Sequence, residues 1–380
     1  MKYKPWELHM DEIWKKKRIL YNLKDFCFIP YKIYLAFKIA KQPTYYPEYK
    51  RKSYVQRVFD NVLWACKYLE PNVYYNSYGL DVKGLHKIDE YMPYRQFKLD
   101  REGALYLFPE KYRFSYQILV RDKYIFSSYI AKAVGERFVP KTIAVIQENS
   151  VIIEPSKKIY SIEEFFKENK RVICKIIDGE CADSVLLLDV KEENILNGKE
   201  PITISKLKRI FNGKRYIVQE VVTQHDDINR INPYCVNTIR IITIRGKSGE
   251  INVLAASIRI GAEKDSFVDN RAAGGMAVGI NPDGKLMKYG FQHAELGGRN
   301  EKHPITGVIF EGYQLPYWKE VIELVKTSHK AIIGLQSIGW DVAITPSGPV
   351  LIEGNDNWEI ANPQDAIGGL KKKWYELINK

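Results

Sequence analysis

The stretch that decides the fold lies near the C-terminal end, and it reads Gly339-Trp-Asp-Val-Ala-Ile344, Thr345-Pro-Ser-Gly348 and Pro349-Val-Leu-Ile-Glu-Gly-Asn355. Two apolar runs around a Pro-Ser-Gly turn predict an antiparallel β-hairpin. Side chains alternate between the two faces of a strand, so Glu353 and Asn355 share one face of the second strand. The hairpin is expected to bring these two side chains close to Asp341 of the first strand.

The three polar side chains of this hairpin are oxygen donors. Carboxylate and amide oxygens are the ligands that Mg²⁺ prefers, with waters and nucleotide phosphates completing its octahedron. Two close carboxylates would also repel each other, and a bound cation removes that repulsion. The pattern therefore favours a magnesium site at Asp341, Glu353 and Asn355. The alternative is that Glu353 and Asn355 only pair with lysines at the end of the hairpin.

Two upstream segments could serve a nucleotide. Residues 173–185 predict a strand, a polar loop and a second strand, with Lys175 on the first. The small loop residues could bring backbone N–H groups to phosphate oxygens. Residues 217–222 are an apolar strand interrupted by Gln219 and Glu220, which could offer backbone groups and a carboxylate to an adenine edge. A lone lysine on a strand is more often a solvated residue at the edge of a sheet. Lys175 could therefore be either a phosphate contact or such an edge residue.

Composition places the chain among globular proteins. The 380 residues are 45% hydrophobic and 27% charged, which excludes a disordered or fibrous chain and favours two or three structural units. No apolar run is long enough to span a membrane, and no secretory signal is visible. The five cysteines are scattered and form no CxxC pair, which is typical of reduced thiols. These features predict a cytoplasmic protein.

The net charge of +12 is concentrated at the N-terminal end. Residues 1–50 hold eleven Lys and Arg against five Asp and Glu, together with twelve aromatic residues. Basic residues interleaved with aromatic rings can bind an anionic membrane surface or a nucleic-acid strand. The simpler interpretation is an irregular lobe that is packed by its rings and keeps its lysines in solvent.

Hydrophobic periodicity divides the chain into a helical part and a mixed part. Apolar residues within 55–69 recur at three- and four-residue steps, which predicts an amphipathic helix that faces a core with its apolar stripe and ends at Pro71. The later part alternates short strands with helices. It includes a predicted hairpin of residues 238–245 and 251–260 and a predicted helix over residues 317–333.

A strand lysine, a Gln-Glu strand end and a C-terminal Asp…Glu-x-Asn occur in this order, and the chain from about residue 121 onward thereby resembles the ATP-grasp superfamily. The resemblance implies ATP and Mg²⁺ as cofactors, with Asp341, Glu353 and Asn355 as the magnesium ligands. It implies a phosphate loop between Asp178 and Ser184 that has fewer glycines than usual. The implied nucleotide contacts are Lys123, Lys175, Gly179, Ser184, Gln219, Glu220, Val222 and Asp227. Asp227 is the expected ribose-contacting acid, and Glu220 is the alternative.

A narrower resemblance concerns the sugar-transfer-associated ATP-grasp group. It is carried by Asn237-Thr-Ile-Arg240, Asn270, Gly274-Gly275, His303-Pro304 and Gly339-Trp-Asp341. The group is known mainly as a companion of glycosyltransferases in surface-polysaccharide gene sets. This resemblance implies that a carboxylate on a small molecule or glycan and an amine such as an amino acid are the substrates. The candidate substrate contacts are Asn237, Asn270, Gly274, Gly275 and His303.

The implied fold class is α+β. Two α+β subdomains are expected to clasp ATP, preceded by a mainly helical N-terminal region. We expect that region over residues 1–115 and the first subdomain, with the lysines and the phosphate loop, over residues 116–215. The second subdomain, with the adenine linker, the metal site and the acceptor site, is expected over residues 216–380.

The implied reaction joins a carboxylate to an amine through an acyl phosphate. A positive group must face the acyl phosphate and the later oxyanion, and arginine suits this role because it binds phosphate or carboxylate through two bonds. The glycine- and alanine-rich residues 270–279 could close over the intermediate, or they could be an ordinary strand connection. His225, His293 or His303 could act as a base, although most lone histidines are structural. The catalytic candidates are Arg240, Arg259 and Arg271.

Two further interpretations compete with this ligase. One keeps the ATP site but stops at phosphoryl transfer, as a kinase of a small amide or acid. The other is a basic binding protein that recruits polysaccharide enzymes to a membrane or nucleic acid. The ligase interpretation expects no nucleic acid but allows peripheral contact with the inner membrane face or with glycosyltransferases. It also predicts that Lys175→Ala, Asp341→Ala and Glu353→Ala abolish ATP turnover and leave thermal unfolding nearly unchanged.

Overall fold

The computed structural model describes residues 22–104, 110–168, 170–179, 185–191, 194–262, 274–292 and 298–379. Helices dominate the N-terminal part, and two antiparallel β-sheets with covering helices follow. This architecture confirms the expected α+β class with a mainly helical N-terminal region.

Within the described ranges, the N-terminal lobe includes three helices with defined bounds. They are α1 (Ile29–Lys41), α2 (Tyr54–Tyr68) and α3 (Tyr94–Ala104). Ser53 caps α2 through a capping box with Gln56, which satisfies backbone N–H groups that a helix start leaves unpaired. The helix ends at Leu69, in the left-handed conformation, two residues before Pro71. The helix predicted over residues 55–69 is therefore confirmed.

The face that α2 buries differs from the predicted one. Trp64 and Ala65 are buried against the lobe, whereas Val55, Phe59 and Leu63 of the predicted apolar stripe are exposed. Helix α1 packs on α2 and offers buried small residues, Ala36 and Ala40, which allow close approach of the two helices. The expectation that this stripe faces the core is therefore wrong for these three residues, whereas Val58 and Val62 of the same stripe are half-buried.

Residues 110–220 contain two helices followed by the first sheet, which has two further short helices between its strands. Helices α4 (Glu110–Arg121) and α5 (Lys123–Ala133) come first, and α6 (Ile162–Phe165) and α7 (Ile204–Phe211) lie between strands. The eight strands are ordered β3-β2-β1-β8-β4-β5-β6-β7. They are β1 (Thr142–Gln147), β2 (Ser150–Ile153), β3 (Ile159–Ser161), β4 (Lys170–Ile176), β5 (Val185–Lys191), β6 (Asn194–Asn197), β7 (Glu200–Pro201) and β8 (Arg215–Glu220).

The first sheet extends five residues beyond the expected boundary. Strand β8 lies between β1 and β4, and it is antiparallel to both. A boundary after residue 215 would separate this strand from its own sheet. The first sheet therefore includes Gln219 and Glu220, two of the residues expected at the adenine, whereas Val222 lies in the connection that follows.

The second sheet contains seven antiparallel strands, ordered β13-β12-β11-β10-β9-β14-β15. The strands are β9 (Ile239–Arg245), β10 (Ile251–Ile260), β11 (Met276–Ile280), β12 (Leu286–Phe291), β13 (Arg299–Asn300), β14 (Ser337–Thr345) and β15 (Gly348–Asn355). The associated helices are α8 (Asp226–Ile231), α9 (Trp318–Ala331), α10 (Ala361–Ile367) and α11 (Lys371–Asn379). The predicted hairpins of β9 with β10 and of β14 with β15 are confirmed.

Both faces of the second sheet are covered by apolar clusters. On one face, Val120 of α4 and Phe126 of α5 pack with α9 and the isoleucines of the strands. On the other face, Phe97 of α3 packs against Trp358 and Trp374, with ring centroids 4.7 and 5.1 Å apart. The N-terminal lobe is thus fixed to the second sheet by an aromatic core, and the polar site described next lies on this second face.

Candidate active site

One row of polar side chains crosses four neighbouring strands of the second sheet. Ser257 of β10 is the Cα partner of Arg240 on β9, Arg240 is the partner of Asp341 on β14, and Asp341 is the partner of Glu353 on β15. Laterally paired residues of a sheet project from the same face. The register of three strand pairs therefore gathers side chains from positions far apart in the sequence.

Asp341 lies at the centre of this row and is held by two arginines. Arg240 Nε donates to Oδ1 at 2.5 Å and Arg240 Nη2 to Oδ2 at 3.0 Å, while Arg259 Nη2 lies 2.9 Å from Oδ2. The Asp341 side chain is 1% exposed. Burial alone would raise its pKa, but the charges of Arg240 and Arg259 outweigh burial and hold the pKa below its ordinary value. Asp341 is therefore ionised and orients both guanidinium groups.

Glu353 and Asn355 form the adjoining part of the site. Asn355 Nδ2 donates to Glu353 Oε1 at 3.2 Å, so the two side chains converge as the alternation along β15 predicts. Burial raises the pKa of Glu353, and the neighbouring negative charge of Asp341 raises it further. The charges of Lys123 and Arg259 oppose this shift. The site thus contains one carboxylate held ionised by arginines and one whose ionisation is penalised.

The donor set fits a divalent cation. A cation beside Glu353 would offset the penalty on its ionised form, and carboxylate and amide oxygens suit Mg²⁺. Within the described ranges, no group of three or more Asp, Glu, His or Cys side chains converges as a metal site. Both oxygens of Asp341 accept from arginines, so a cation here would depend on Glu353, Asn355 and oxygens from outside the chain, with the negative charge of Asp341 nearby.

A cavity of 230 Å³ opens beside this row. Its polar lining combines the two arginines with amide side chains, and Trp358, Met276 and Pro363 supply apolar walls. The polar lining residues that the sequence did not single out are Ser257, Asn357, Glu359 and Asn362. Three of them follow Glu353 and Asn355 closely in the chain, so the polar run after β15 was a usable signal.

Asn237 and His303 lie inside the protein, where both hold Gly261. Asn237 Oδ1 accepts from the Gly261 amide at 3.2 Å, and His303 Nε2 donates to the Gly261 carbonyl at 2.8 Å. Asn237 is 1% exposed and His303 is fully buried. Burial lowers the pKa of His303, so its ring is neutral, with a donor on Nε2. These two expected substrate contacts instead fix the end of β10, two residues beyond Arg259.

The glycine-rich segment is only partly described. Gly274 accepts a hydrogen bond from Gln292 through its carbonyl at 2.8 Å, and it directly precedes Gly275 and strand β11. Residues 276–279, which the sequence left open as a flexible loop, are part of that strand and pair with β10. Of the two alternatives left open by the sequence, the flexible loop is therefore excluded for these four residues. Four of the residues singled out from the sequence lie outside the described ranges: Ser184, Asn270, Arg271 and His293.

The lysine expected first along the chain lies at the contact between the two sheets. Lys123 is the first residue of α5, after Asp122, whose side chain caps the helix by accepting from the Tyr124 and Ile125 amides. The Lys123 amide donates to the carbonyl of Ile177 at 3.0 Å, and Lys123 Nζ donates to the Gly179 carbonyl at 2.7 Å. The start of α5 and the loop after β4 are therefore joined.

Lys175, the second expected lysine, lies on β4. Its Cα partners are Val185 on β5 and Ile217 on β8, so it occupies an interior strand of the first sheet. Its side chain is half-buried, which excludes the fully solvated edge position considered from the sequence. The loop that follows β4 is described only as far as Gly179, whose carbonyl accepts from Lys123.

A cleft of 560 Å³ lies where β8 leaves the first sheet. Its apolar lining includes Val139 from the segment before β1, Val222 from the segment after β8, and Val350 from β15 of the second sheet. Glu220 also lines the cleft and pairs with Lys141 at 3.1 Å. Gln219 is buried and donates to the Pro140 carbonyl at 3.3 Å. A polar strand end between apolar walls is an arrangement that can hold a planar base.

Asp227, the expected ribose contact, lies in the first turn of α8. Its carboxylate pairs with Arg230 at 3.1 Å, and its backbone carbonyl accepts from Tyr313 at 2.6 Å. The lining of the cleft includes Glu220 but not Asp227. His225 caps the same helix by accepting from the Asp227 amide at 3.1 Å. Of the two acids considered for the ribose, Glu220 is the one at the cleft.

The fold and site together define a class. Two antiparallel sheets, an open cleft at the end of β8, and an arginine and carboxylate row on the second sheet are the arrangement expected of an ATP-grasp protein. Residues 106–373 match the family model described as Sugar-transfer associated ATP-grasp, and the chain therefore belongs to this family. This match confirms the resemblance inferred from the sequence. It also confirms the expectation that the chain is a member of an ATP-grasp enzyme family.

Several solved structures are similar to this chain. An N5-carboxyaminoimidazole ribonucleotide synthetase in complex with ADP shares 12% identity over 64% of this chain and 47% of that chain, with a TM-score of 0.37. An L-amino acid ligase from Bacillus licheniformis shares 11% over 70% and 45%, with a TM-score of 0.36. A D-alanine–D-alanine ligase from Bacillus anthracis shares 13% over 68% and 64%, with a TM-score of 0.37.

This chain spans about half the length of the first of these structures. Among curated protein sequences, no significant match is found.

Proposed function

We propose that the chain is an ATP- and Mg²⁺-dependent ligase that joins a carboxylate to an amine through an acyl phosphate. The observation that carries the proposal is the row Ser257, Arg240, Asp341 and Glu353, which opens onto a polar cavity. Two guanidinium groups held by one buried carboxylate are suited to binding an anionic group next to a nucleotide. Family membership and the base-sized cleft support ATP as the nucleotide.

ATP would lie between the two sheets. Val222 and Val350 would enclose the adenine, and Glu220 would accept from the ribose hydroxyls. Lys123 and Lys175 would neutralise the phosphates. Mg²⁺ would be held by Glu353 and Asn355, with Asp341 beside them, and it would supply positive charge that neutralises the phosphates.

The reaction would proceed in two transfers. A carboxylate oxygen of the first substrate attacks the γ-phosphorus, the bond to the β–γ bridging oxygen breaks, and ADP leaves. The amine of the second substrate then attacks the acyl carbon, phosphate leaves, and the nitrogen loses a proton to form the amide. Arg240 and Arg259 would bind the acyl phosphate and the oxyanion, because preorganised positive groups stabilise charge that develops during reaction.

The polar lining of the cavity suggests a substrate rich in hydroxyl groups. Amide side chains from Asn355, Asn357 and Asn362 can each donate and accept hydrogen bonds, which suits a sugar acid. Glu359 is a candidate partner for the ammonium of an incoming amino acid. Together with a family associated with sugar transfer, this supports attachment of an amino acid or similar amine to a sugar acid in surface-polysaccharide synthesis, in the cytoplasm where ATP is available.

A matrix of substrates tests the proposal. Nucleotide sugars that bear uronic acids are crossed with amino acids and ammonia, and ADP release is measured for every pair. A ligase releases ADP in quantity only when both a carboxylate and an amine are present, and the product contains an amide by mass spectrometry. Stoichiometric ADP with one acceptor and a phosphorylated product would establish the kinase alternative instead. Arg240→Ala provides the inactive control for productive pairs.

A further inference from the structure

Two helices of the N-terminal lobe present apolar side chains to solvent. Phe26, before α1, is 65% exposed, and Phe59 and Val55 of α2 are 61% and 75% exposed. Monomeric proteins rarely expose such a concentration of large apolar residues without a partner. We call this patch the α1–α2 surface, and its apolar members are Leu23, Phe26, Phe28, Tyr31, Tyr34, Phe37, Val55, Phe59 and Leu63.

Lysines lie beside these apolar side chains on the same helix faces. Residues four positions apart are neighbours on a helix surface, and Lys38, Lys41 and Lys67 follow Tyr34, Phe37 and Leu63 at this spacing. Lys38 Nζ lies 4.9 Å from the centroid of the Tyr34 ring. Long lysine stems can lie along apolar surface while the ammonium groups reach polar surroundings. The surface is therefore both apolar and basic.

The acidic residues of this part of the lobe are all engaged. Within residues 22–67 the three carboxylates are those of Asp25, Glu48 and Asp60. Asp25 pairs with Lys32 and Arg95, Glu48 with Arg299, and Asp60 with Lys52. In the described part of the chain, no ion pair is found for Lys24, Lys38, Lys41 or Lys67. These three carboxylates are thus paired, Glu48 with an arginine of the second sheet, and the four lysines lie at the apolar surface without an ion pair among the described residues.

We propose that the α1–α2 surface docks on a bilayer with anionic headgroups. Aromatic and aliphatic side chains enter the interface between headgroups and acyl chains, and flanking lysines attract anionic lipid. Tyrosine suits this position because its ring is amphipathic. The described ranges contain no helix with the length and apolar character needed to cross a membrane. The proposed contact is peripheral, with the two helices lying on the bilayer surface. Charge complementarity favours a membrane over a second copy of this basic chain.

Flotation of the full chain with vesicles tests the proposal. Vesicles of equal parts phosphatidylcholine and phosphatidylglycerol are compared with vesicles of phosphatidylcholine alone. We expect binding to be at least about tenfold stronger with phosphatidylglycerol and to weaken as salt rises from about 0.1 M to about 0.5 M. Absence of binding to the anionic vesicles, or equal binding to both kinds, would overturn the proposal.

Variants assign the binding to the surface. Lys38→Glu with Lys41→Glu, and separately Tyr34→Ser with Phe37→Ser, should each weaken vesicle binding at least about tenfold. The matched controls change exposed residues elsewhere: Lys206→Glu with Lys319→Glu, and Ile309→Ser with Ile333→Ser. Controls that lose as much binding as the surface variants would overturn the proposal. All four variants should keep the thermal unfolding of the parent chain, because the changed side chains are exposed.

Two further measurements distinguish membrane docking from self-association and from a loss of ligase activity. Light scattering reports the oligomeric state, and a dimer that the surface variants dissociate, without vesicle binding by the parent chain, would assign the surface to a second copy and overturn the proposal. The surface variants should retain ADP release in solution, since none of the changed residues lines either cavity. Failure of membrane binding is therefore distinguishable from failure of the ligase proposal.

Discussion

Arg240 and Asp341 meet through two parallel hydrogen bonds, Nε to Oδ1 at 2.5 Å and Nη2 to Oδ2 at 3.0 Å, across the neighbouring strands β9 and β14. The paired groups have different environments, because the carboxylate is buried whereas the guanidinium is about one-fifth exposed and lines the cavity. The aspartate therefore acts as a fixed support, and the arginine presents positive charge to the cavity.

The first prediction concerns the stability that this pair provides. Arg240→Ala should lower the free energy of unfolding by about 3 kcal/mol, because removing one partner leaves a buried charge less well compensated. Chemical denaturation measures the change. The control is Arg230→Ala, which breaks the mostly exposed pair with Asp227 and should cost less than about 1 kcal/mol. Equal effects in the two variants would contradict the role assigned to Asp341.

The burial of Asp341 also changes the stability expected for Asp341→Ala. The sequence predicted nearly unchanged unfolding, but the structure contradicts this because the carboxylate is buried and supports two arginines. We expect Asp341→Ala to destabilise the protein, and the double variant with Arg240→Ala to be less destabilised than the sum of the single changes. A coupling of at least about 1 kcal/mol in this cycle is the expected result, and additive changes would contradict it.

The second prediction concerns the cation. Glu353→Gln should raise the Mg²⁺ concentration needed for half-maximal ADP release at least about tenfold, because even indirect partners of a metal affect affinity by that factor. Titration of Mg²⁺ at saturating ATP measures the shift, and a chelator should abolish the activity of the parent chain. Glu320→Gln, at an exposed position on α9, is the matched control. An unchanged Mg²⁺ requirement in Glu353→Gln would remove this residue from the metal site.

The third prediction concerns the cleft of Val222 and Val350. Val222→Asp should weaken ATP binding at least about tenfold, since it removes an apolar wall and places a negative charge beside the nucleotide. Isothermal calorimetry measures the dissociation constant. Val73→Asp, at an exposed position of the N-terminal lobe, makes the same chemical change and should leave ATP binding unaltered. Equal weakening by both variants would indicate a general effect of charge instead of a base site.

The fourth prediction concerns Asn237. Asn237→Ala leaves the buried Gly261 amide without its acceptor, which should cost about 1–3 kcal/mol of stability. Because Gly261 follows Arg259 closely, we also expect kcat to fall while the dissociation constant of ATP stays unchanged. Asn61→Ala, another buried asparagine with a backbone partner, is the control: it should reduce stability but not kcat. A parallel loss of kcat in both variants would show that stability alone explains the effect.

The fifth prediction concerns pH and His329. Its Nε2 donates to the Leu335 carbonyl at 3.0 Å, its Nδ1 accepts from Thr243, and burial lowers its pKa to about 3. Since the folded-state pKa lies below the ordinary value near 6.5, His329 contributes stability that is fully present above about pH 6.5 and is lost as pH falls toward 3. We expect this loss to reach on the order of 2 kcal/mol by about pH 4.5.

Comparison with His329→Gln isolates this contribution. Denaturation curves between about pH 4.5 and about pH 7 should show a steeper decline in the parent chain than in the variant. Glu70 acts in the opposite direction, because burial raises its pKa to about 7 and its contribution is lost as pH rises from about 4.5 to about 7. The difference between the two proteins is therefore the informative quantity, and parallel curves would contradict a neutral buried His329.

The strands of the site could be predicted because their signals are local. Alternation and a Pro-Ser-Gly turn define the hairpin of β14 and β15, and these two signals suffice to bring Glu353 and Asn355 together. The pairing of Arg240 with Asp341 could not be predicted in this way. Its register depends on strands about a hundred residues apart, and no pattern within either strand specifies it.

Other features could not be predicted because they depend on which groups pack around a side chain in the folded protein. Asn237 and His303 are polar and follow the family pattern, but polarity does not say whether a side chain faces a ligand or an internal backbone group. The apolar stripe of α2 raised a similar difficulty, because periodicity reveals a stripe and only the packing of α1 decides which one is covered. The polar run after β15, which lines the cavity, is visible in the sequence. Its position beside Arg240 and Arg259 could not be predicted, because it depends on how the strands of the second sheet pair.

Helix α5 has a consequence for motion between the two sheets. Its body packs in the core of the second sheet through Phe126, while its first residue holds the carbonyls of Ile177 and Gly179 at the first sheet. Lys123 thus holds the loop after β4 against the start of α5, in addition to the chain segments that connect the two sheets. Any motion that separates α5 from this loop must break or stretch the Lys123 contacts, so such motion and these contacts are mechanically linked.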